Sequence, residues 1–248
     1  MQAYALTDVG RVRTINQDYI FSSSAGIGSL ANLFIVADGM GGHKAGDYAS
    51  RFMVEKLVEY IKDQKDTGII QVMESGIQEI NRELYEESIE DENLSGMGTT
   101  LVAATVDGDT MYVANVGDSR LYVIGDGIRQ VTKDHSYVEE LVSLGQLERG
   151  SEDYLAKKNI ITRAVGAKYS LNIDFFEVTL TPEDRILLCS DGLSNMVEDD
   201  EICSIVTSGG TLKQKTEELI CAANRNGGKD NIAVILIDPE LSEVKRAC

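Results

Sequence analysis

Phe34-Ile35-Val36-Ala37-Asp38-Gly39-Met40-Gly41-Gly42-His43 reads as a short buried strand running into a glycine-rich turn. Its first four residues are apolar without alternation, the pattern of a strand covered on both faces. Asp38 ends the run. Gly39, Gly41 and Gly42 follow, residues whose backbone can approach a ligand closely, and His43 closes the stretch. A carboxylate at the end of a buried strand beside such backbone suits a bound cation. Asp-Gly is also a common turn dipeptide, so the decapeptide alone leaves a tight turn and a cation site both open.

Around this stretch the hydrophobic period alternates between strand and helix. Residues 2–7 and 17–24 read as short strands. A helix from about Ala45 places Ala49, Phe52, Met53, Leu57, Tyr60 and Ile61 on one face. A second helix places Met73, Ile77, Ile80 and Leu84 at i, i+4, i+7 and i+11. From Gly98 the period becomes strand-like over 100–106, 110–116 and 121–124, and Asp107-Gly108-Asp109 is a hairpin signal. Residues 134–144 have helical character, whereas 145–158 are polar and glycine-interrupted, as in a mobile surface excursion. Strand-like runs return at 171–180 and 185–190. Thr211-Leu212-Lys213-Gln214 resembles a capping box. The helix it opens sets Leu212, Leu219, Ile220 and Ala223 on one face and stops at Asn226-Gly227. A last strand covers 232–237. With no repeat or linker between these elements, 1–248 is expected to be one domain.

The chain has 41 acidic and 23 basic residues, for a formal charge of -18. That balance argues against a duplex nucleic-acid binder, which needs a basic face, and against binding to anionic membranes. It suits a protein that holds cations. Cys189, Cys203, Cys221 and Cys248 show no C-x-x-C spacing and read as reduced core or tail thiols. The start lacks a signal-peptide pattern and no apolar run reaches the length of a membrane span, so a cytoplasmic location is expected.

Four further stretches repeat the grammar of the first, with Asp at the edge of a buried run beside Gly or Asn. They are Ala114-Asn115-Val116-Gly117-Asp118-Ser119-Arg120, Leu188-Cys189-Ser190-Asp191-Gly192, Gly227-Gly228-Lys229-Asp230-Asn231 and Asn16-Gln17-Asp18. Each alone is an ordinary turn or cap. If the strands form packed sheets, several of their ends can meet at one edge and bring these carboxylates together. Clustered carboxylates repel and require cations or protons. Oxygen ligands without Cys or His at ligand spacing favour Mg²⁺ or Mn²⁺ over Zn²⁺. His43 and His135 are the only histidines in the sequence, which excludes a His-rich transition-metal site.

The ordered set of motifs resembles the metal-dependent protein serine/threonine phosphatases (type 2C, PPM), especially compact bacterial members. The matching stretches are R-x-x-N-Q-D at Arg13–Asp18, V-A-D-G-M-G-G-H at Val36–His43, G-T-T at Gly98–Thr100 and V-G-D-S-R at Val116–Arg120. D-H-S at Asp134–Ser136, I-T-R-A-V-G at Ile161–Gly166, C-S-D-G-L at Cys189–Leu193 and G-K-D-N-I at Gly228–Ile232 complete them. Each motif alone is weak to moderate, but together they span nearly the whole chain in the family's order.

The resemblance implies an α+β fold: a four-layer αββα sandwich of two antiparallel β-sheets flanked by helix pairs, with a flap subdomain at about 136–160. It also implies roles. Asp38 resembles the carboxylate bridging two Mn²⁺ or Mg²⁺ ions, with the Gly39 carbonyl on one of them. Asp191 and Asp230 resemble ligands of the other ion, and Asp118 with Asp191 the site of a weaker third. Asp18 matches a residue that holds metal-bound water, and Asn231 a neighbour that orients the site. Arg13 matches the phosphate-binding arginine, whose fork fits two phosphate oxygens.

The implied reaction is hydrolysis of phosphoserine and phosphothreonine without a phosphoenzyme, by a water bridging two divalent ions. Arg13 and the metals neutralise phosphoryl charge, and His43 resembles the general acid for the departing oxygen. His135 reads instead as a structural anchor, Thr99 and Thr100 as strand residues supporting the site, and Arg120 and Arg163 as makers of structural hydrogen bonds. Phosphorylated proteins are the implied partners, with a Hanks-type Ser/Thr kinase opposing the enzyme and a monomer as the expected state.

Two departures from the family pattern stand out. Gln17 replaces the Glu of many relatives, removing one negative charge. Leu155-Ala156 stands where many bacterial members carry His-Pro in the flap, so a substrate contact through that histidine is absent, and Lys157 and Lys158 offer positive charge for acidic phosphopeptides instead. Two alternative functions are a catalytically silent domain that binds a phosphoprotein, and a metal-dependent hydrolase of other phosphoesters. The first is disfavoured because no expected ligand or Arg13 is lost; the acidity disfavours polynucleotides for the second.

Overall fold

The computed structural model describes residues 1–42, 45–65 and 68–241. Its first half contains strands β1 (Gln2–Asp8), β2 (Asp18–Ser23) and β3 (Leu33–Met40), then helices α1 (Ala45–Asp63) and α2 (Ile69–Glu90). Strands β4 (Gly98–Thr99), β5 (Leu101–Asp107), β6 (Thr110–Val116), β7 (Arg120–Ile124) and β8 (Ile128–Gln130) follow. Helices α3 (Tyr137–Ser143) and α4 (Glu152–Lys157) lead to strands β9 (Asp174–Thr179) and β10 (Arg185–Cys189). Helices α5 (Asp191–Ser194), α6 (Asp199–Thr207) and α7 (Leu212–Arg225) precede strand β11 (Ile232–Asp238).

The strands pair into two antiparallel sheets. One has the order β1-β11-β10-β7-β8; the other has the order β2-β3-β5-β6-β9, with β4 beside β3. The unalternating apolar runs have a direct cause: each central strand feeds two cores. Along β3, Leu33, Ile35 and Ala37 face a core shared with α1 and α2, while Phe34 and Val36 face the space between the sheets. Along β11, Ala233, Ile235 and Ile237 join that central core, while Ile232, Val234 and Leu236 pack with Leu219 and Ala223 of α7. The period of two therefore sorts residues between two dry layers rather than between core and water. The result is the expected four-layer αββα arrangement.

The helices follow their apolar stripes. Ala49, Met53, Leu57 and Ile61 of α1, and Met73, Ile77, Ile80 and Leu84 of α2, are buried in the same core. Thr211 caps α7 as expected, accepting from the Gln214 amide while the Gln214 side chain accepts from the Thr211 amide. The hairpin between β5 and β6 turns at Gly108, whose positive φ of 62° suits glycine.

Several elements differ from the sequence expectation. The helix expected over 134–144 begins only at Tyr137. The Asp134 carboxylate is bound by Arg120, His135 N–H donates to the Gly117 carbonyl, and Ser136 is the cap. The 171–180 run is strand only over β9. Helices α4 and α6 and strand β8 lie where no regular element was expected. Of the thiols, Cys189 is buried, Cys203 is half-buried and Cys221 is exposed. Cys221 is therefore not a core thiol: it lies on the solvent side of α7, although its neighbours in sequence are apolar. Cys248 lies outside the described residues. Among those described, no helix is long and apolar enough to cross a membrane.

Leu188 is fully buried between the sheets. Leu188→Ala is expected to destabilise the protein by ~2–5 kcal/mol through lost burial and the cavity left behind. Urea unfolding would show a lower midpoint at unchanged slope; a loss under about 1 kcal/mol would mean the two sheets do not share a tightly packed core.

Candidate active site

The site forms where strands from both sheets end at the same edge of the sandwich. Asp38 and Asp18 are cross-strand partners on β3 and β2. Asp118 follows β6 in the turn to β7, Asp191 opens α5 directly after β10, and Asp230 with Asn231 precedes β11. Five carboxylates distant in sequence thus converge because their strands stop together.

Small residues and hydroxyls fix this edge. A Cβ on Gly39 would stand 1.9 Å from the Gly46 carbonyl oxygen and 2.8 Å from that of Gln17, so only glycine lets α1 start against β3. Gly192 is as tightly enclosed, 1.9 Å from the Asn231 carbonyl oxygen. Thr100 Oγ1 accepts from the Asp38 amide at 2.9 Å and pairs with Ser119 Oγ at 2.7 Å. Thr99 Oγ1 donates to the Asp38 carbonyl at 3.0 Å. Both threonines support the strand end, as expected.

Asn231 ties the loop before β2 to the site. Its Nδ2 donates to the carbonyls of Val9 and Ile15, and its Oδ1 accepts from the Gln17 amide, each within 2.9 Å. Arg11 and Val12 amides donate to the Gly228 carbonyl in the same loop pair. Arg13 is thereby brought to Asp230, with Nη2 at 2.7 Å from Oδ2. Its side chain is half exposed, and one N–H among five is used in this bond, leaving donors that face solvent.

Sequence reasoning missed Ser190. Its Oγ donates to Asp18 Oδ2 at 2.6 Å and accepts from the Ala233 amide at 2.9 Å, joining the two sheets at the site. The only signal was a small polar residue before Asp191 at a strand end. Asn195, which donates to Asp191 Oδ2 at 2.9 Å, was also missed; it lies one helical turn beyond its partner. His43 lies outside the described residues.

The carboxylates are costly neighbours. Burial first, and then the charges of Asp18, Asp191, Asp118 and Asp230, raise Asp38 well above the usual carboxylate range. Burial raises Asp18 to about 7, Asp118 to about 8 and Asp191 to about 6, with nearby aspartates adding to each. Asp18 Oδ1, Asp118 Oδ1 and Asp191 Oδ1 are buried without a hydrogen-bond partner. Such orphaned acceptors fit a divalent cation, which would satisfy the oxygens and cancel the repulsion. Among the described residues no group of three or more His, Cys, Asp or Glu side chains is placed so that it could hold a metal ion by itself. The set is open, so the Gly39 carbonyl and solvent would complete any ligand shell.

The flanking polar residues are structural. Arg120 binds both oxygens of Asp134, and Arg163 binds Asp174 at 2.6 Å. His135 Nδ1 accepts from the Gly117 amide at 3.0 Å, so its Nε2 carries the hydrogen and donates towards Asp174 Oδ2 at 3.2 Å. Its own amide donates to the Gly117 carbonyl and its carbonyl accepts from Thr162. His135 therefore anchors the 134–136 segment, as expected. A cleft of about 740 Å³ lies beside it, lined in part by Arg120, Arg149 and Arg163; each arginine is already paired with an acid.

A family profile described as protein phosphatase 2C matches residues 10–236. The chain is 40% identical over 253 residues to the serine/threonine phosphatase stp of Listeria monocytogenes, covering 99% of each. It is 43% identical over 244 residues to protein phosphatase PhpP of Streptococcus pneumoniae, covering 96% of this chain and 97% of that one. Among solved structures it is similar to the catalytic domain of the serine/threonine protein phosphatase PstP in complex with two manganese ions. There the TM-score is 0.83 at 32% identity, covering 96% of this chain and 97% of that chain.

The raised carboxyls predict a pH dependence. Asp18, Asp118 and Asp191 hold protons in the folded protein that they release near pH 4 when unfolded. The folded state therefore binds more protons between pH 4 and about 8, and stability falls as pH rises through that window. Metal-stripped protein is expected to melt at a lower temperature at pH 8 than at pH 5, and Mn²⁺ to restore most at pH 8. Equal melting temperatures without metal, with no gain from Mn²⁺, would show that the carboxylates do not repel as a group.

Proposed function

The chain belongs to the protein phosphatase 2C family and is a serine/threonine protein phosphatase, and from that premise we propose that its converging strand-end aspartates hold the metals for hydrolysing phosphoserine and phosphothreonine. One observation carries this reading: buried, unpartnered carboxylate oxygens from separate segments face one another beside an arginine with free donors.

Asp38, with the Gly39 carbonyl, Asp191 and Asp230, would hold two Mn²⁺ or Mg²⁺ ions, and Asp118 with Asp191 a weaker third. The family's PstP was solved with two manganese ions, which supports that assignment. Bound there, such ions would supply a water acidified enough to attack phosphorus, and positive charge for the phosphoryl oxygens.

The chain's own groups do the remainder. Arg13 uses its outer N–H donors to fork two oxygens of the phosphate, sharing or leaving Asp230 as it does so. Asp18, held by Ser190, orients water at the site through the oxygen that has no protein partner. Asn231 keeps the 9–17 loop, and with it Arg13, in register. His43 donates the proton that the departing serine or threonine oxygen requires. The segment at about 136–160, with α3 and α4, serves as a flap bordering the site. Its substrates are phosphorylated proteins, and by analogy with compact bacterial relatives a Hanks-type kinase supplies them to a cytoplasmic monomer.

Asp38→Asn is expected to remove most activity on a phosphothreonine peptide; near wild-type turnover would contradict the metal assignment. His43→Ala should slow the peptide by ~10²–10⁴-fold and an aryl phosphate far less, because a phenolate leaves without a proton. Equal slowing of the two would count against His43 as the acid.

A further inference from the structure

A notch of about 20 Å³ sits at the outer side of the site, lined by Asp118, Asp191, Asn195, Tyr154, Arg120 and Lys158 among others. It has room for one water-sized occupant. Two of its lining residues, Asp118 and Asp191, each carry a buried carboxylate oxygen without a hydrogen-bond partner, Oδ1 in both, and Asp118 is only 6% exposed. The notch therefore calls for a cation.

Two cationic side chains border it, and they differ. Arg120 is spent: its guanidinium binds Asp134 through Nε and Nη2 and Tyr122 through Nη1. Lys158 makes no hydrogen bond or ion pair among the described residues. It is half-buried; burial lowers its pKa below the usual lysine value, and Asp191 is foremost among the charges that oppose this and favour the ammonium. The position of Lys158 is fixed by its surroundings. It is the C-cap of α4, and just beyond it the chain is pinned back to the body. The Tyr137 amide donates to the Ile160 carbonyl, Ser136 bridges Ile161, and Thr162 donates to the His135 carbonyl. The lysine thus stands at the anchored base of the 136–160 segment, where a four-carbon stem can reach the notch without the whole segment moving.

We propose that the Lys158 ammonium is a tethered counter-cation of the Asp118–Asp191 notch, which competes with a divalent ion for it and so weakens that ion's binding. The inference rests on the reading of Asp118 and Asp191 as metal ligands. An ammonium and a divalent ion cannot share so small a space, and like charges at this range repel. When the ion enters, the ammonium swings out to solvent; when the ion leaves, the lysine cancels part of the buried charge. The two pairs of Asp191, with Lys158 and with metal, are then alternatives.

The test is Mn²⁺ titration of metal-stripped protein by calorimetry, together with electron paramagnetic resonance of free Mn²⁺. Wild type, Lys158→Gln, Lys158→Arg, Asp118→Asn and the Lys158→Gln/Asp118→Asn pair would be compared. Lys158→Gln is expected to tighten the weakest Mn²⁺ site on the order of tenfold, leaving tighter sites unchanged. Lys158→Arg should stay near wild type, and Asp118→Asn should abolish the weak site in both backgrounds. If Asp118→Asn removes the weak site but Lys158→Gln does not tighten it, the competition is overturned while the ligand reading stands. A raised KM for a phosphopeptide with unaltered Mn²⁺ affinity in Lys158→Gln would likewise overturn it, placing the lysine on substrate. If Asp118→Asn leaves Mn²⁺ binding unchanged, the ligand reading fails and the competition with it.

Discussion

The structure depends on the mutual repulsion of buried carboxylates at one end of a two-sheet sandwich. Asp38, Asp18, Asp118 and Asp191 are removed from water and set against one another, and burial is the leading cause of every raised carboxyl among them. Left alone, such an arrangement destabilises a fold, because the charges lose hydration and the hydrogen bonds from Ser190 and Asn195 replace only part of it. It persists because the rest of the molecule over-determines where the strands end. Three stacked apolar layers lock β3, β10 and β11 in place, and their termini carry the aspartates as a consequence.

The same packing accounts for the polar residues around the acids. Thr100, Ser190 and Asn231 satisfy backbone amides and carbonyls at strand ends that would otherwise be buried unpaired. Their contacts reach across sheets: Ser190 lies after β10 and holds Asp18 of β2, and Asn231 before β11 holds the loop carrying Arg13. Hydrophobic core and site are therefore one construction. A side chain added at Gly39 or Gly192 would collide with the carbonyl of Gly46 or of Asn231, and the disturbance would reach the acids directly.

Much of this was legible in the sequence because the signals were local. Each of Asp38, Asp118, Asp191 and Asp230 ends or begins an apolar run beside glycine or asparagine, and the family motifs follow one another in order. The capping box at Thr211 and the stripes of α1 and α2 are equally local. What escaped was either short or dependent on distant partners. Strand β8 has three residues, and α6 opens on Asp199-Asp200-Glu201, which complements a helix dipole yet reads as loop in composition. The start of α3 was misplaced because Asp134 and His135 spend their polar groups on Arg120 and Gly117 rather than on a helix. Ser190 and Lys158 gain their meaning only from the fold, which sets them against Asp18 and the Asp118–Asp191 notch.

The central claim is that these strand ends form a divalent-cation site, and crystals equilibrated with Mn²⁺ test it most directly through anomalous scattering at the manganese edge. The account predicts two strong peaks flanking Asp38, one of them also bonded to Asp191 and Asp230. Absence of ordered manganese at Asp38, with peaks only at surface acids, would contradict it.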